Sequence, residues 1–217
     1  MDYWVKRNKP SVKSNAKARQ YLVQILEDSN LVEGTDFTQS EVQLETLPGY
    51  IYTITGGAPD KPILVLLHGF GSPMGWWVKM FPRLFSNFRV YAFDHYGMGC
   101  SYRFEFKLKS PEDAVAIYTK AIEEWRARLN LKNFYVCGHS LGGFLAAHWI
   151  QRFSPKIKGV FMLSAAGVTN CTPDQRKKEM NQIRNPNTGA PFNGFALTLM
   201  KGVMHVIQEW HVSPYSF

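Results

Sequence analysis

The sequence has no apolar run of the roughly 20 residues that a membrane-spanning helix needs. Its longest candidate, Ile63–Leu67, has only the length of a strand. The first ten residues hold no apolar stretch of the kind found at the centre of a secretory signal peptide. The usual marks of an integral membrane protein and of an exported protein are therefore missing, so we expect an intracellular protein.

Cysteine is also scarce, with three residues in 217. Cys100, Cys137 and Cys171 are odd in number, lie far apart and form no C-x-x-C pair. A disulfide framework and a zinc site are both unexpected, and a reducing compartment fits this pattern best. The six histidines show no metal-ligand spacing. We therefore expect neither a metal nor a cofactor.

The sequence does carry an excess of positive charge, with a net charge of +8. No recognised nucleic-acid-binding motif accompanies it, so we expect no nucleic-acid partner, and an anionic lipid surface accounts for the charge at least as well. Residues 1–40 are predicted to be a leader, whose first twenty residues hold six Lys or Arg, one acid, Tyr3 and Trp4. This composition suits a membrane interface, an ordinary solvated terminus or, less well, a mitochondrial presequence. The location is therefore open between the cytoplasm, a peripheral membrane site and the mitochondrion.

Residues 41–165 alternate between strand-like and helix-like segments and are predicted to form one core. A hairpin around Pro48-Gly49 comes first, and short apolar strands alternating with helices follow it. This order predicts an α/β fold with a doubly wound, mostly parallel sheet of six strands. The first two of these strands form the leading antiparallel hairpin. Ligands of such sheets bind beyond the carboxyl ends of the strands. The predicted segments are a helix at 14–28, the hairpin at 41–55, strands at 62–67, 89–93, 134–137 and 158–163, and helices at 76–85, 111–129 and from Leu141 onward.

One strand-to-helix junction carries the pattern G-x-S-x-G at Gly138-His139-Ser140-Leu141-Gly142. A strand that turns directly into a helix forces its middle residue into a strained conformation, and small residues two positions away on each side relieve the crowding. The serine hydroxyl then stands clear of the sheet, facing the positive end of the new helix. The pattern predicts a nucleophile elbow with Ser140 as the nucleophile.

Residues 166–217 depart from the alternating pattern and are predicted to be an incomplete helical lid. A charged helix is predicted at 172–184, and a loop rich in Pro, Asn and Gly follows it. The segment Phe195–Trp210 is apolar on most faces of a helix, so a core, a partner protein or lipid must cover it.

Three motifs together resemble those of the α/β-hydrolase fold family: His68-Gly69-Phe70-Gly71, Asp94-x-x-Gly97-x-Gly99-x-Ser101, and the elbow extended to Gly143. Finer matches resemble its lipid-acting subfamily, which includes the lipid-droplet lipase coactivator and hydrolases of N-acyl phospholipids and lysophospholipids. They are Val90–Asp94, Glu123–Arg126, Gly142–Ala147 and Trp210–Pro214, with Trp4 and the helix after it matching the aromatic leader. The coactivator branch has Asn at the nucleophile position, so Ser140 favours the enzyme branch.

The resemblance implies a role for several backbone and side-chain groups around Ser140. The backbone N–H groups of Phe70 and Leu141 would form the oxyanion hole. The surrounding loops would be supported by His68, Gly69, Asp94, Gly138, His139 and Gly142, with His139 alternatively lining the pocket. His95 is expected at the pocket edge. Two roles stay open for three aromatic residues, lining an acyl pocket or ordinary packing in the core. These residues are Trp76, Trp77 and Phe144.

The resemblance also implies a triad acid and histidine on loops after later strands, and the sequence reaches Phe217 within the predicted lid. None of Asp174, Glu179, His205, Glu209 and His211 is assigned to the triad, and the His-x4-Asp motif of the family's acyltransferases is absent. We therefore expect a serine hydrolase that cleaves ester or amide bonds of phospholipids or lysophospholipids through an acyl-enzyme, at a membrane or lipid-droplet surface. The alternative is an inactive hydrolase-fold subunit whose sixth-strand edge and helix Phe195–Trp210 are covered by a partner protein.

Overall fold

The computed structural model describes residues 12–104 and 110–166. Several predictions concern residues outside these ranges: the membrane contact of Tyr3 and Trp4, the lid helices at 172–184 and Phe195–Trp210, and the later acids and histidines. Within the described residues, no helix is both long enough and apolar enough to cross a membrane.

Six strands and four α-helices alternate in the described part of the chain, as an α/β fold requires. The order and bounds are α1 (Val12–Glu27), β1 (Phe37–Gln43), β2 (Tyr50–Gly56), β3 (Ile63–Leu67), a 3-10 helix (Met74–Met80), α2 (Phe81–Phe85), β4 (Arg89–Phe93), α3 (Pro111–Arg128), β5 (Phe134–His139), α4 (Leu141–Phe153) and β6 (Ile157–Leu163).

The strands form one mixed sheet in the order β1-β2-β4-β3-β5-β6. The leading hairpin is antiparallel, β2 pairs antiparallel with β4, and β4, β3, β5 and β6 run parallel. In the centre, Leu67 lies opposite both Phe93 of β4 and Gly138 of β5. The predicted doubly wound sheet is therefore confirmed, and its register places the loops after β3, β4 and β5 side by side.

Two apolar cores cover the two faces of this sheet. Alternate residues of β3 serve each of them, because successive side chains of a strand point to opposite faces. Leu64 and Leu66 pack on the side of α1, the 3-10 helix and α2, whereas Val65 and Leu67 pack on the side of α3 and α4. Burial on both faces explains why β3 is a continuous apolar run in the sequence.

The clearest differences between the predicted segments and the structure are the following. The first hairpin strand begins at Phe37, ahead of the predicted start. The predicted helix at 76–85 is a 3-10 helix followed by the short α2, which has a proline in its first turn. Along α1, Leu22 and Leu26 are buried but Tyr21 and Ile25 are exposed, so the apolar stripe is narrower than the sequence suggests.

The carboxylate of Glu124 on α3 holds the turn between β1 and β2. It accepts the backbone N–H groups of Glu45 and Thr46 at 2.9 Å, that of Leu47 at 3.3 Å, and the Thr46 hydroxyl. Burial opposes ionisation of Glu124, but the hydrogen bonds from Thr46, Leu47 and Glu45 outweigh it and hold the pKa of this carboxyl below its ordinary value. The interaction connects the antiparallel hairpin to the helical layer.

We predict that Glu124→Gln destabilises the fold by about 1–2 kcal/mol at pH 7, because an amide has one acceptor oxygen where the carboxylate has two charged ones. The lowered folded-state pKa stabilises the protein above the ordinary glutamate pKa of about 4.3 and ceases to do so as the pH falls through the folded value. Urea unfolding of wild type and variant should therefore converge below about pH 4. The exposed Glu27→Gln is the control; a gap that persists at low pH would contradict this account.

Candidate active site

Ser140 occupies the sharp junction between β5 and α4. Its backbone has φ 50° and ψ −115°, in the positive-φ region that residues with a Cβ seldom adopt. The strain is maintained by hydrogen bonds on both sides of the residue. Its N–H donates to the carbonyl of Leu163 at 3.0 Å, and its carbonyl accepts the N–H groups of Gly143 at 3.1 Å and Ala166 at 3.0 Å. The end of β6 therefore helps to fix the turn.

The two glycines of the G-x-S-x-G pattern lie where backbone segments approach most closely. A Cβ added to Gly142 would lie 2.2 Å from the carbonyl oxygen of Leu67, and one added to Gly138 would lie 2.6 Å from the nitrogen of Gly143. Any side chain at either position would push α4 away from the central strands. The glycine spacing therefore reflects contact between α4 and the strand ends.

Two backbone N–H groups, those of Leu141 and Phe70, belong to segments next to this turn, since a Cβ added to Gly69 would lie 3.2 Å from the Cβ of Ser140. Leu141 is the first residue of α4, so its N–H has no partner within the helix. The N–H of Phe70 belongs to the loop after β3. Neither N–H donates to a protein acceptor among residues 12–104 and 110–166. The amino-terminal end of α4 adds its partial positive charge.

The loop after β3 is fixed by buried polar groups of its own strand end and of the next. The imidazole of His68 is buried, and its Nδ1 lies 2.7 Å from the carbonyl oxygen of Gly69. The carboxylate of Asp94 accepts the N–H groups of Met74 and Cys100, both at 2.7 Å. Burial raises the pKa of Asp94 to about 6, against these two hydrogen bonds, which lower it. Asp94 thus joins the loops after β3 and β4.

His139, the residue before Ser140, is held between the loop after β3 and the 3-10 helix. Its ring stacks on Trp76 with centroids 5.1 Å apart and an interplanar angle of 10°. Its Nδ1 would lie 2.8 Å from a Cβ at Gly69, so only glycine fits there. Trp76 is exposed beside the turn, whereas Trp77 is buried in the core and Phe144 is partly buried, with its ring against His148. Of the three aromatic candidates, Trp76 is the one at the rim of the site.

The structure places His95 away from the expected pocket edge. Its side chain is fully buried, and its ring lies 4.3 Å from that of His68. Its position follows from the register of β3 and β4, which no local pattern in the sequence reveals. Nor does the described part of the chain contain a group of three or more His, Cys, Asp or Glu side chains arranged to hold a metal ion.

A sharp strand-to-helix turn with a serine at positive φ, and glycine two residues away on each side, has the form of the G-x-S-x-G turn of hydrolases. The pattern of the alpha/beta hydrolase fold family matches residues 62–196, more than half of the chain. The chain therefore belongs to the alpha/beta hydrolase fold family, as the motifs predicted.

Three of the curated relatives are named as acyltransferases or lipases that act on lipids. A 1-acylglycerol-3-phosphate O-acyltransferase of Arabidopsis thaliana is 34% identical over 66% of this chain and 34% of its own length. The 1-acylglycerol-3-phosphate O-acyltransferase ABHD5 of Homo sapiens is 39% identical over 50% of this chain and 31% of its own. A (lyso)-N-acylphosphatidylethanolamine lipase of Bos taurus is 30% identical over 63% of this chain and 38% of its own length. These names confirm the resemblance to the lipid-acting subfamily, and the chain spans about a third of each relative.

Solved structures show the same fold at lower sequence identity. A membrane phospholipase A, described as a bacterial virulence factor, has a TM-score of 0.59 and 19% identity over 90% of this chain and 64% of its own. The carboxylesterase CesB of Bacillus subtilis has a TM-score of 0.57 and 22% identity over 78% of this chain and 57% of its own. At this level of identity the similarity establishes the architecture alone.

We predict that Ser140→Gly is more stable than Ser140→Ala by about 1 kcal/mol, because glycine adopts positive φ without strain whereas alanine retains the strain of serine. Both variants remove the hydroxyl, so the comparison isolates the backbone term. Urea unfolding of the two proteins measures it. An alanine variant at least as stable as the glycine variant would show that the turn is not strained.

Proposed function

We propose that this protein is a serine hydrolase that cleaves carboxylic ester or amide bonds of phospholipids or lysophospholipids. The observation that carries the proposal is Ser140 at φ 50° on the β5–α4 turn, with the loop after β3 so close that a Cβ added to Gly69 would lie 3.2 Å from the Cβ of Ser140. The backbone N–H groups of Phe70 and Leu141 have no acceptor among residues 12–104 and 110–166. The lipid-enzyme relatives support the substrate class. The 1-acylglycerol-3-phosphate named for two of the relatives is itself a lysophospholipid, so the class covers both transferases and lipases among them.

The chemistry would proceed through an acyl-enzyme. The Ser140 hydroxyl oxygen attacks the carbonyl carbon while its proton passes to a general base, and the two N–H groups stabilise the oxyanion. The alcohol or amine then leaves with that proton. Water attacks the ester formed on Ser140, regenerates the hydroxyl and releases the fatty acid.

We assign the general base to none of the residues 12–104 and 110–166. Among the buried histidines, both ring nitrogens of His68 and the Nε2 of His95 are already hydrogen-bonded to protein groups. Both rings are buried, so we assign neither of them as the acceptor of the Ser140 proton. His148 contacts the ring of Phe144 on α4. The nucleophile and the oxyanion donors are therefore the roles we assign to described residues.

We further propose that the rim of the site rests on an anionic membrane or lipid-droplet surface. Phe70, Trp76 and Met80 have exposed fractions of 47%, 53% and 45%, and Lys79 and Arg83 are exposed near them in the chain. No Asp or Glu occurs between Lys61 and Phe93. Exposed aromatic residues combined with basic ones suit the headgroup region of a bilayer with negative lipids. A substrate lipid would then enter the site from that surface.

The second candidate is a non-catalytic subunit of a larger assembly, and one observation favours it. Phe161, Met162 and Leu163 of β6 are all exposed, although successive residues of a strand point to opposite faces. Among the described strands, β6 pairs with β5 alone and leaves its other edge open. A partner protein that covers this edge would bury all three side chains.

We predict that a fluorophosphonate probe labels the full-length protein at Ser140 and leaves Ser140→Ala unlabelled, because the probe reacts with activated serine hydroxyls. Ser86→Ala, which removes an exposed hydroxyl far from the turn in sequence, is the control and should label as wild type does. Mass spectrometry of the labelled peptide gives the position. Absence of label on folded wild type would favour the non-catalytic subunit instead.

We predict that Trp76→Ser combined with Lys79→Glu lowers the affinity of the full-length protein for vesicles of phosphatidylcholine and phosphatidylserine by about tenfold, since it removes an aromatic anchor and reverses a charge. Sedimentation with these vesicles measures the effect. Val32→Ser combined with Lys158→Glu removes an exposed apolar side chain and reverses one charge at other exposed positions, and it should bind as wild type. Equal losses in both variants would mean that net charge, and not this rim, governs binding.

A further inference from the structure

His68 and His95 form a buried pair directly beneath the loop after β3. His68 follows the last residue of β3, and His95 lies two residues beyond the end of β4, the parallel neighbour. Their exposed fractions are 1% and 0%. Each ring is hydrogen-bonded to the backbone that leads to Phe70, His68 to the carbonyl of Gly69 and His95 to that of His68. The reaction chemistry proposed above gives neither ring a role, so the burial and hydrogen bonding of the pair need another explanation.

The position of one proton on His68 follows from its hydrogen bonds. The backbone N–H of His95 donates to Nε2 of His68 at 3.0 Å, so Nε2 presents a lone pair. The proton must then be on Nδ1, which lies 2.7 Å from the carbonyl oxygen of Gly69 and donates to it. The nearest carboxylate oxygen, from Asp94, is 3.7 Å from Nε2, beyond hydrogen-bond distance. His95 thus selects the tautomer of His68.

The ring of His95 is fixed by the same reasoning. Its Nε2 lies 2.9 Å from the carbonyl oxygen of His68, and a carbonyl only accepts, so this nitrogen carries the proton. Its Nδ1 is buried and has no hydrogen-bond partner among the described residues. Burial lowers the pKa of His95 well below the ordinary value and lowers that of His68 to about 4. Both rings are therefore neutral at physiological pH, each with one defined donor.

The tautomer of His68 sets the direction of an oxyanion donor. The Gly69–Phe70 peptide is trans, so the carbonyl of Gly69 and the N–H of Phe70 point in opposite directions. Because Nδ1 of His68 holds that carbonyl on one side, the N–H of Phe70 faces the other way. A secondary contact from the Ser72 hydroxyl at 3.4 Å acts on the same carbonyl. The opposite tautomer would place two lone pairs together and release the peptide.

We infer that His95 is a positioning residue for the Phe70 oxyanion donor. Its Nε2–H bond to the carbonyl of His68 anchors the loop after β4, which keeps the His95 backbone N–H aimed at Nε2 of His68. The hydrogen bond from the His95 N–H keeps the proton of His68 on Nδ1. The Nδ1–H then holds the carbonyl of Gly69 and so fixes the orientation of the Gly69–Phe70 peptide. The inference rests on the proposed function, because the N–H matters only if an oxyanion forms at Ser140.

A pair of nearly isosteric substitutions tests this role. In His95→Gln the side-chain amide nitrogen can replace Nε2 as a donor to the carbonyl of His68, whereas His95→Met fills similar volume with no donor. Loss of a whole oxyanion donor lowers kcat about 100- to 1,000-fold. We therefore expect that misorientation of the Phe70 N–H in His95→Met slows fluorophosphonate labelling of Ser140 about tenfold. The glutamine variant should stay within about twofold of wild type. Equal rates in the two variants would overturn the inference.

Nitrogen NMR of the imidazoles provides a readout that does not depend on turnover. Wild type and His95→Gln should show His68 as the neutral Nδ1–H tautomer, and His95→Met should show it weakened or mixed with the Nε2–H form. A wild-type His68 in the Nε2–H form would refute the inference even if the methionine variant failed to fold. If wild-type tautomers agree but no protein labels, the proposed function fails while the hydrogen-bond role of His95 stands.

Discussion

The reversal of the chain at Ser140 is the constraint on which the arrangement of this site depends. A serine at φ 50° persists only because the flanking segments are packed too closely to relax. Gly142 touches the carbonyl of Leu67, and the N–H of Ser140 is bonded to Leu163 of β6. Relaxation of the turn would separate α4 from three strands at once. The same closeness brings the amino-terminal end of α4 to the edge of the sheet where anionic chemistry is proposed.

The electrostatics of the site depend on dipoles more than on charged side chains. Around the loop after β3, the buried imidazoles of His68 and His95 are held neutral, and burial raises the pKa of Asp94 to about 6. The group of known position at the turn is the amino-terminal end of α4, and the proposed oxyanion donors are backbone N–H groups. Donors fixed in advance do not need to reorient when negative charge develops, which is the property that catalysis requires of an oxyanion hole. In our proposal the buried polar groups serve to orient those donors.

Local chemistry explains which elements could be predicted closely. The strand Arg89–Phe93 has the predicted bounds, since a short apolar run ends at a polar residue on each side. The segment 76–85 was less predictable, because Pro82 lacks an N–H and the preceding residues form a 3-10 helix instead of a continuous α-helix. The stripe on α1 was also too wide, because the packing surface below it accepts Leu22 and Leu26 but leaves Tyr21 and Ile25 in solvent.

The sequence by itself determined the alternation of strands and helices, the doubly wound class and the serine between two glycines, because these depend on neighbours along the chain. The tertiary structure alone decided what long-range contacts control: the carboxylate of Glu124 on the hairpin turn, the stack of His139 on Trp76, and the burial of His95 against His68. The hydrogen-bonded partners among them lie 27 to 79 residues apart in the sequence. The parallel register of β3 and β4 brings the two histidines together, and the packing of α3 beside the hairpin brings Glu124 to its turn; no local pattern encodes either arrangement.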